Sequence, residues 1–319
     1  MADYDVIIVG LGPAGLAAGI YAARRNLKVL VIGELLGGQM SWAHTVENYP
    51  GIEPMPGTEL AEKMKSQAEK FGCEIKMEAA KGFELKGELK KIKTSSKEYT
   101  CKAVIIVTGS HYRKLGAEGE KEFIGKGVSY CSTCDGPFFK GKKVAVIGGA
   151  DSSITAALYL NDIASETYLI HRKDQLRAEE ANQKKIVDSS VKIIWNSVVE
   201  KIEGDQVVRK IIIKNVNTNE TKELAVDGVF VEVGEIPTTD IVSSAGIEIN
   251  ERNFIKVNNK FETNIEGVYA AGDVTGSFAQ IVTAAAAGAE AATNAYLYLK
   301  GGAYGTKITF DYGEKKAKQ

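Results

Sequence analysis

The residues most able to do chemistry lie mid-chain, in Cys131-Ser132-Thr133-Cys134-Asp135-Gly136. Two cysteines at this spacing can close a small disulfide ring, which opens and re-forms by thiolate exchange. A zinc reading needs about four ligands. The other two cysteines, Cys73 and Cys101, are not paired at ligand spacing, and the chain has 3 histidines. No metal site is therefore expected. Asp135 is placed to handle a proton when a thiol forms, or simply to cap a turn. The sequence leaves both roles open.

Three glycine clusters suggest a second kind of chemistry. Gly10-Leu11-Gly12-Pro13-Ala14-Gly15 follows a short apolar run. In this spacing the first glycine makes a tight turn, the second admits a pyrophosphate to the backbone, and the third lets helix pack on strand. Free amides at the helix start then face the phosphates. Glu34 stands where an acid accepts from a ribose hydroxyl. Gly37-Gly38-Gln39 and Glu47-Asn48-Tyr49-Pro50-Gly51 follow. Alone they are ordinary turns, but here they are candidates to wrap a long cofactor.

The second cluster, Gly148-Gly149-Ala150-Asp151-Ser152-Ser153, is less regular. Ala150 stands where backbone and pyrophosphate should touch. His171-Arg172-Lys173 and Arg177 follow the next strand. A free ribose 2'-hydroxyl prefers an acid there and a 2'-phosphate prefers arginine, so the pattern favours NADP over NAD. An exposed basic turn is the plainer alternative. The third cluster is Gly272-Asp273. Asp273 can accept from a cofactor's hydroxyl chain, cap a helix, or both. The helix after it would aim its positive end at the pyrimidine edge of a reduced flavin.

These motifs need strands and helices to carry them. Val6-Ile7-Ile8-Val9 reads as a strand buried on both faces. An alanine-rich helix is expected from about Ala14 to Arg25, stopped by Asn26. Lys28 to Ile32 is the next strand, completing a βαβ unit. The pattern recurs in Lys143–Ile147, a helix from Ile154 to about Leu160, and Thr167–Ile170. Val268 to Ala271 leads to a last helix expected over Ala279–Leu297. Lys81–Lys102 alternates in a way that suits exposed antiparallel strands. The lysine-ended segment Gly305–Gln319 reads as a solvated tail.

Composition narrows the classes further. At about 150 residues per domain, 319 residues suggest two domains. Hydrophobic residues at 44% and charged residues at 25% exclude disorder as the main state. A net charge of -1 gives no basic surplus for nucleic acid or an anionic membrane. Four cysteines are too few for a disulfide-stapled secreted scaffold. The start Met1-Ala2-Asp3-Tyr4-Asp5 has no basic region of a signal peptide. No apolar run approaches the ~20 residues of a membrane helix. A cytoplasmic location is expected.

Together, Gly10–Gly15, the Gly37–Gly51 region, Cys131–Gly136 and Gly267–Ala292 resemble the low-molecular-weight thioredoxin reductase family, in the same order and over nearly the whole chain. The resemblance implies an α/β fold of two Rossmann-like three-layer (ββα) nucleotide-binding domains, the second inserted into the first. Residues 1–114 and 237–319 would form the FAD domain, and 115–236 the NAD(P)H-binding-like domain with the redox pair. It implies FAD, NADPH, a thioredoxin or thioredoxin-like partner, a homodimer, and one domain rotating against the other.

By the same resemblance FAD would contact Gly10, Leu11, Gly12, Pro13, Ala14, Gly15, Ile32, Gly33, Glu34, Gly38, Gln39, Asn48, Ala80, Gly272, Asp273, Ala279, Gln280 and Ile281. Cys134 would lie against the flavin, Cys131 would attack the partner disulfide, and Asp135 would be the acid–base partner. Ser152, His171, Arg172 and Arg177, with Lys173 among them, sit at the NADP positions.

Three departures matter. Ala150 and Ser153 depart from the family fingerprint. Lys173 replaces an arginine and loses bidentate phosphate binding. Ala279 stands where the family often has arginine. The acceptor side is therefore better supported than the donor side. The leading expectation is a thioredoxin-disulfide reductase fed by NADPH. The alternative keeps the disulfide chemistry and takes reduced ferredoxin or a reduced deazaflavin as donor. Relatives serving peroxiredoxins carry an additional N-terminal region, and relatives that reduce ferredoxin lack the cysteine pair. A non-catalytic nucleotide-binding module with a fixed disulfide or metal clip is the remaining class, disfavoured because intracellular disulfides are seldom structural.

Overall fold

A computed structural model describes residues 2–43 and 45–301. The tail expected over 305–319 lies outside them. The chain opens with β1 (Tyr4–Val9), α1 (Pro13–Ala23) and β2 (Val29–Ile32). α2 (Gly57–Lys70) and β3 (Glu74–Lys76) lead to β4 (Ala80–Glu84), β5 (Lys90–Thr94) and β6 (Glu98–Ile106). Next come β7 (Ser110–Tyr112), β8 (Val128–Ser129), α3 (Ser132–Asp135), β9 (Lys143–Ile147), α4 (Asp151–Asn161) and β10 (Glu166–Ile170). α5 (Glu180–Val187), β11 (Lys192–Ile194), β12 (Ser197–Gly204), β13 (Val208–Asn215), β14 (Thr221–Ala225), β15 (Gly228–Val231) and β16 (Glu235–Pro237) follow. α6 (Asp240–Ser243), β17 (Val268–Ala270) and α7 (Ile281–Leu299) complete the order.

Contacts divide the chain into two units: Met1–Gly38 with Ala61–Gly109 and Thr239–Gln319, and Gln39–Leu60 with Ser110–Thr238. In the first, the sheet runs β3-β2-β1-β6-β5-β4, with β17 also on β6. β6 is long enough to serve two neighbours in turn. Its Glu98–Cys101 half pairs antiparallel with β5, and its Val104–Ile106 half pairs parallel with β17. The strand order reverses beside β1, which has β2 on one side and β6 on the other. Open α/β sheets bind ligands at such a switch point. Ile7, Val9, Leu30, Ile32, Ile92, Tyr99, Val104 and Val268 share one core.

The second unit repeats the plan. Its parallel sheet runs β11-β10-β9-β15-β8, again with a switch point, here between β9 and β15. Alternating residues of each strand serve two cores. Ala145, Ile147 and Val229 face Ile202, Ile211 and Ile213 of the antiparallel β12-β13-β14 sheet. Val144, Val146 and Phe230 face Ile154, Ala157 and Leu160 of α4. This is the three-layer ββα arrangement expected.

Four expectations need correction. α1 ends at Ala23 rather than Arg25, although Asn26 does stop the chain, at φ 57. α4 starts at Asp151, three residues before Ile154, and α7 starts at Ile281, two after Ala279. Thr283 Oγ bonds the Gln280 carbonyl and holds that last start in place. The β4–β6 strands are antiparallel but not simply exposed. Ile92, Tyr99 and Cys101 turn into the core, and even Lys90 is buried, its ammonium donating to the Gly87 carbonyl at 2.8 Å. Among the described residues no helix is long and apolar enough to cross a membrane.

α7 packs on α1 through backbone. A Cβ on Gly288 would lie 2.0 Å from the Ala14 carbonyl oxygen. Gly288→Ala should therefore destabilise the first unit by about 1–3 kcal/mol, the usual cost of overpacking. A denaturant midpoint equal to that of the unchanged protein would refute this close approach.

Candidate active site

In the first unit the turn between β1 and α1 has its backbone bare. Gly10 has φ 132, and a Cβ there would lie 2.0 Å from the Val107 carbonyl. A Cβ on Gly15 would lie 1.8 Å from the Gly10 carbonyl. Above Gly12 there is space, for a Cβ would meet only Gly37 O, at 3.9 Å. The first turn of α1 carries no acidic side chain. Its leading amides have no intrahelical acceptor. This is a cradle suited to a pyrophosphate.

Several other candidates of this unit meet that turn. Gly37 N donates to Leu11 O at 2.8 Å, and Gly38 lies over Gly12. Ile32 ends β2, with Gly33 against Leu11 and Glu34 exposed beyond. Gly272 packs on Ala14, and Asp273 follows it. Ala80 is buried at the start of β4. Ala279 and Gln280 precede α7, with Gln280 as its N-cap and Ile281 its first residue. Gln39 and Asn48 fall in the second unit, where Gln39 Nε2 donates to the Ser110 carbonyl. The turn, the glycines over it and the open start of α7 fit a dinucleotide.

The second unit holds the sulfurs. Cys131 and Cys134 are disulfide-bonded, with Cα atoms 5.3 Å apart. Cys131 is the N-cap of α3, and the Cys134 amide donates to its sulfur at 3.2 Å. That bond favours a thiolate on Cys131 once the disulfide is reduced. Gly136 seats the turn, since a Cβ there would lie 2.8 Å from the Tyr159 ring of α4.

Carboxyl groups approach α3 from both ends. Asp135 accepts from Ser129 Oγ at 2.6 Å, and Ser129 Oγ in turn accepts from the Cys131 amide at 3.1 Å. Burial pushes the Asp135 carboxyl up, against the opposing effect of the Ser129 bond. Asp135 thus joins the sulfur turn through one hydroxyl. The sequence reading missed Glu232. It follows β15, and Ser132, between the two cysteines, favours its charged form. Burial is the main cause that raises it to about 7, helped by the charge of Glu235 and opposed by Ser132. The available signal was an acid at the carboxyl end of a fully apolar strand, where sites of this fold are built.

The second glycine turn departs from the first. Ala150 is exposed and Ser153 Oγ donates back to its carbonyl at 2.7 Å. Asp151 occupies the first turn of α4, where its carboxylate accepts from the Glu179 amide at 3.0 Å and from Asn182 at 2.7 Å. The Asn182 bond, with the Glu179 amide second, holds that carboxyl below its usual range. Asp151 therefore keeps a negative charge beside the turn. His171 is buried, bonded to the Gln175 carbonyl and packed on Gly149, where a Cβ would lie 2.1 Å from its ring. Arg172, Lys173 and Arg177 are exposed, as is Ser152. The Arg177 amide donates to Gly149 O at 2.7 Å and ties the basic loop to the turn.

The family model described as pyridine nucleotide-disulphide oxidoreductase matches residues 4–288. The chain belongs to that family. Within it, the chain is a member of the thioredoxin reductase group. It is 43% identical to a thioredoxin reductase of Bacillus subtilis over 301 residues, 93% of this chain and 95% of the relative. A thioredoxin reductase structure from Streptococcus pyogenes matches with a TM-score of 0.87 at 40% identity, covering 93% of this chain and 98% of that one. A ferredoxin-flavin thioredoxin reductase from Clostridium acetobutylicum matches with a TM-score of 0.51 at 36% identity, covering 93% and 98%. For an oxidoreductase of this family the two remaining thiols are bystanders. Cys73 and Cys101 are buried, and burial pushes both up to about 12.

Glu232 makes stability depend on pH. Its folded value lies above the 4.5 of the free side chain. Its contribution is therefore full below pH 4.5 and is lost as pH rises through about 7. Glu232→Gln, which mimics the protonated group, should gain on the unchanged oxidised protein between about pH 5 and about pH 8. Equal pH slopes in urea unfolding of the two proteins would contradict this.

Proposed function

We propose that this protein is a thioredoxin-disulfide reductase that uses FAD and the Cys131–Cys134 pair. The observation that carries the reading is the Cys131 sulfur, which caps α3 and accepts the Cys134 amide. The β1–α1 turn would hold FAD, with the open backbone at Gly12 to receive a pyrophosphate and Glu34 to accept from a ribose hydroxyl. Bound FAD takes up two electrons and can deliver them as a pair to sulfur. Opening of the ring leaves Cys134 as a thiol and Cys131 as the thiolate. The Cys131 thiolate then attacks the disulfide of a thioredoxin or thioredoxin-like protein and forms a mixed disulfide. Cys134 attacks Cys131, restoring the ring and releasing the reduced partner. Asp135, through Ser129, holds the proton exchanged with the sulfurs.

NADPH is the proposed donor, with Arg172, Lys173 and Arg177 on its 2'-phosphate and Ser152 at its pyrophosphate. The protein acts as a cytoplasmic homodimer. A second donor reading rests on one contrast between the two glycine turns. α1 has no acid in its first turn, whereas α4 has Asp151, held ionised beside Ala150. A carboxylate there opposes a pyrophosphate by like charge. Reduced ferredoxin or a reduced deazaflavin needs no such turn, and a relative named for ferredoxin is 36% identical.

A donor panel separates the two. With NADPH the bound flavin should bleach, and Asp151→Asn should raise kcat/KM for NADPH about tenfold by removing one like charge. No bleaching in either protein, with bleaching by reduced ferredoxin or deazaflavin, would select the second reading. Under both, Cys131→Ser should lower thioredoxin reduction at least about a thousandfold while FAD stays bound. Retained turnover would overturn the disulfide mechanism itself.

A further inference from the structure

Tyr130 stands immediately before the reactive sulfur and is held from outside the redox turn. Its hydroxyl donates to Glu120 Oε1 at 2.7 Å. Its ring stacks on Tyr112, with centroids 5.4 Å apart and planes 13° from parallel. Glu120 is only 4% exposed. Burying a carboxyl is costly unless its oxygens find donors. Besides the Tyr130 hydroxyl, the Leu115 amide donates to Oε1 and the Gly116 amide to Oε2, each at 2.7 Å. Gly116 has φ 82, a left-handed form in which successive amides converge on one acceptor group.

This contact joins two stretches of different kind. At one end, Leu115 and Gly116 follow β7, whose Tyr112 pairs with Glu235 of β16. At the other, Tyr130 links β8 to the sulfur turn. Cys131 caps α3 with an extended backbone, φ -136 and ψ 99, which brings its sulfur within 3.2 Å of the Cys134 amide. In the oxidised protein the covalent ring also fixes this geometry. Reduction removes the covalent tie. The sulfur is then aimed by the backbone on its N-terminal side, through the Cys131 amide on Ser129 Oγ at 3.1 Å and through the anchored Tyr130.

We propose that Glu120 is a positioning residue for the redox pair, acting through the Tyr130 hydroxyl to keep Cys131 in its capping geometry after the disulfide opens. A thiolate gains more from an aimed amide than a thiol does, since the bond is charge-assisted. Loosening Tyr130 lets the sulfur stray from that amide and lowers the share of thiolate at a given pH. Burial, and next the Glu120 bond, pushes the Tyr130 hydroxyl up, so it remains a donor throughout the neutral range. The acids nearest the turn in the fold are Asp135, bonded to Ser129, and Glu232, two residues past Phe230, which pairs with Ser129. Thr133 Oγ1 lies 3.4 Å from Cys131 Sγ. Changes at Tyr130 and Glu120 leave all three side chains in place.

The inference rests on the cysteine pair being redox-active, and its test reads the sulfur rather than turnover. The full-length protein with FAD is reduced with a small dithiol, freed of it without air, and alkylated with iodoacetamide from about pH 5 to about pH 9. Peptide mapping follows Cys131 by itself. In Tyr130→Phe, which keeps the ring and loses one oxygen, the alkylation midpoint should rise by about half to one pH unit, roughly three- to tenfold less thiolate below it. Glu120→Gln should raise it too, and the double variant no further than Tyr130→Phe, because the route runs through the hydroxyl. Either single variant decides alone should the other fail to fold. An unchanged midpoint would overturn the proposal even where the melting temperature falls, for that marks a purely structural tie. A double variant shifted well beyond Tyr130→Phe would overturn it as well. Shifted midpoints in a protein that fails to reduce thioredoxin would uphold the positioning role and sink the assigned acceptor.

Discussion

The fold around the nucleotide turn depends on backbone meeting backbone where no Cβ intervenes. Gly15 lets α1 sit against the Gly10 carbonyl, and Gly288 lets α7 sit against the Ala14 carbonyl. α1 meets the strand end and the second helix closely at these two glycines. That grip fixes the leading amides of α1 at the switch point of the sheet, with Gly12 left open above them. A larger residue at either contact would push the helix off its strand, and the amides would no longer converge.

The redox turn is built on different physics. α3 is a single turn, held by hydrogen bonds through Ser129 as well as by the packing of Gly136 on Tyr159. Ser129 ties Asp135 to the Cys131 amide, which in turn begins the turn that carries both sulfurs. The Asp135 and Glu232 carboxyls are both raised by burial. Burial therefore favours the neutral form of both acids near the sulfur turn. The α4 turn is the opposite case, because Asp151 is held ionised by its two donors. Within one unit, burial and hydrogen bonding shift carboxyl groups in opposite directions.

Much of this was legible in the sequence. The apolar runs of β1, β2, β9 and β10, the βαβ repeats and the cysteine pair were local patterns with local causes. The helix starts were less legible, because alanine-rich periodicity does not mark where helix begins. α7 starts where Gln280 is extended and Thr283 bonds back to it, and α4 starts where Asp151 finds Glu179 and Asn182. The polar look of Lys81–Lys102 hid a buried face, since Lys90 buries its stem while its ammonium reaches a carbonyl. Glu232 and Ser132 are 100 residues apart in the chain, and the parallel pairing of β15 with β8, Phe230 beside Ser129, brings the two strand ends together. His171 read as a phosphate ligand from its neighbours, yet its ring lies buried under Gly149.

Cys73 and Cys101 are shut away in the first unit with their thiols held protonated, while the exchanging pair belongs to the second. A molecule that hands oxidising equivalents from one sulfur to another is exposed to its own chemistry, since any spare thiolate within reach would short-circuit the relay. Here the spares are insulated by apolar packing, so electrons leave the reduced pair toward an external disulfide or back to their source.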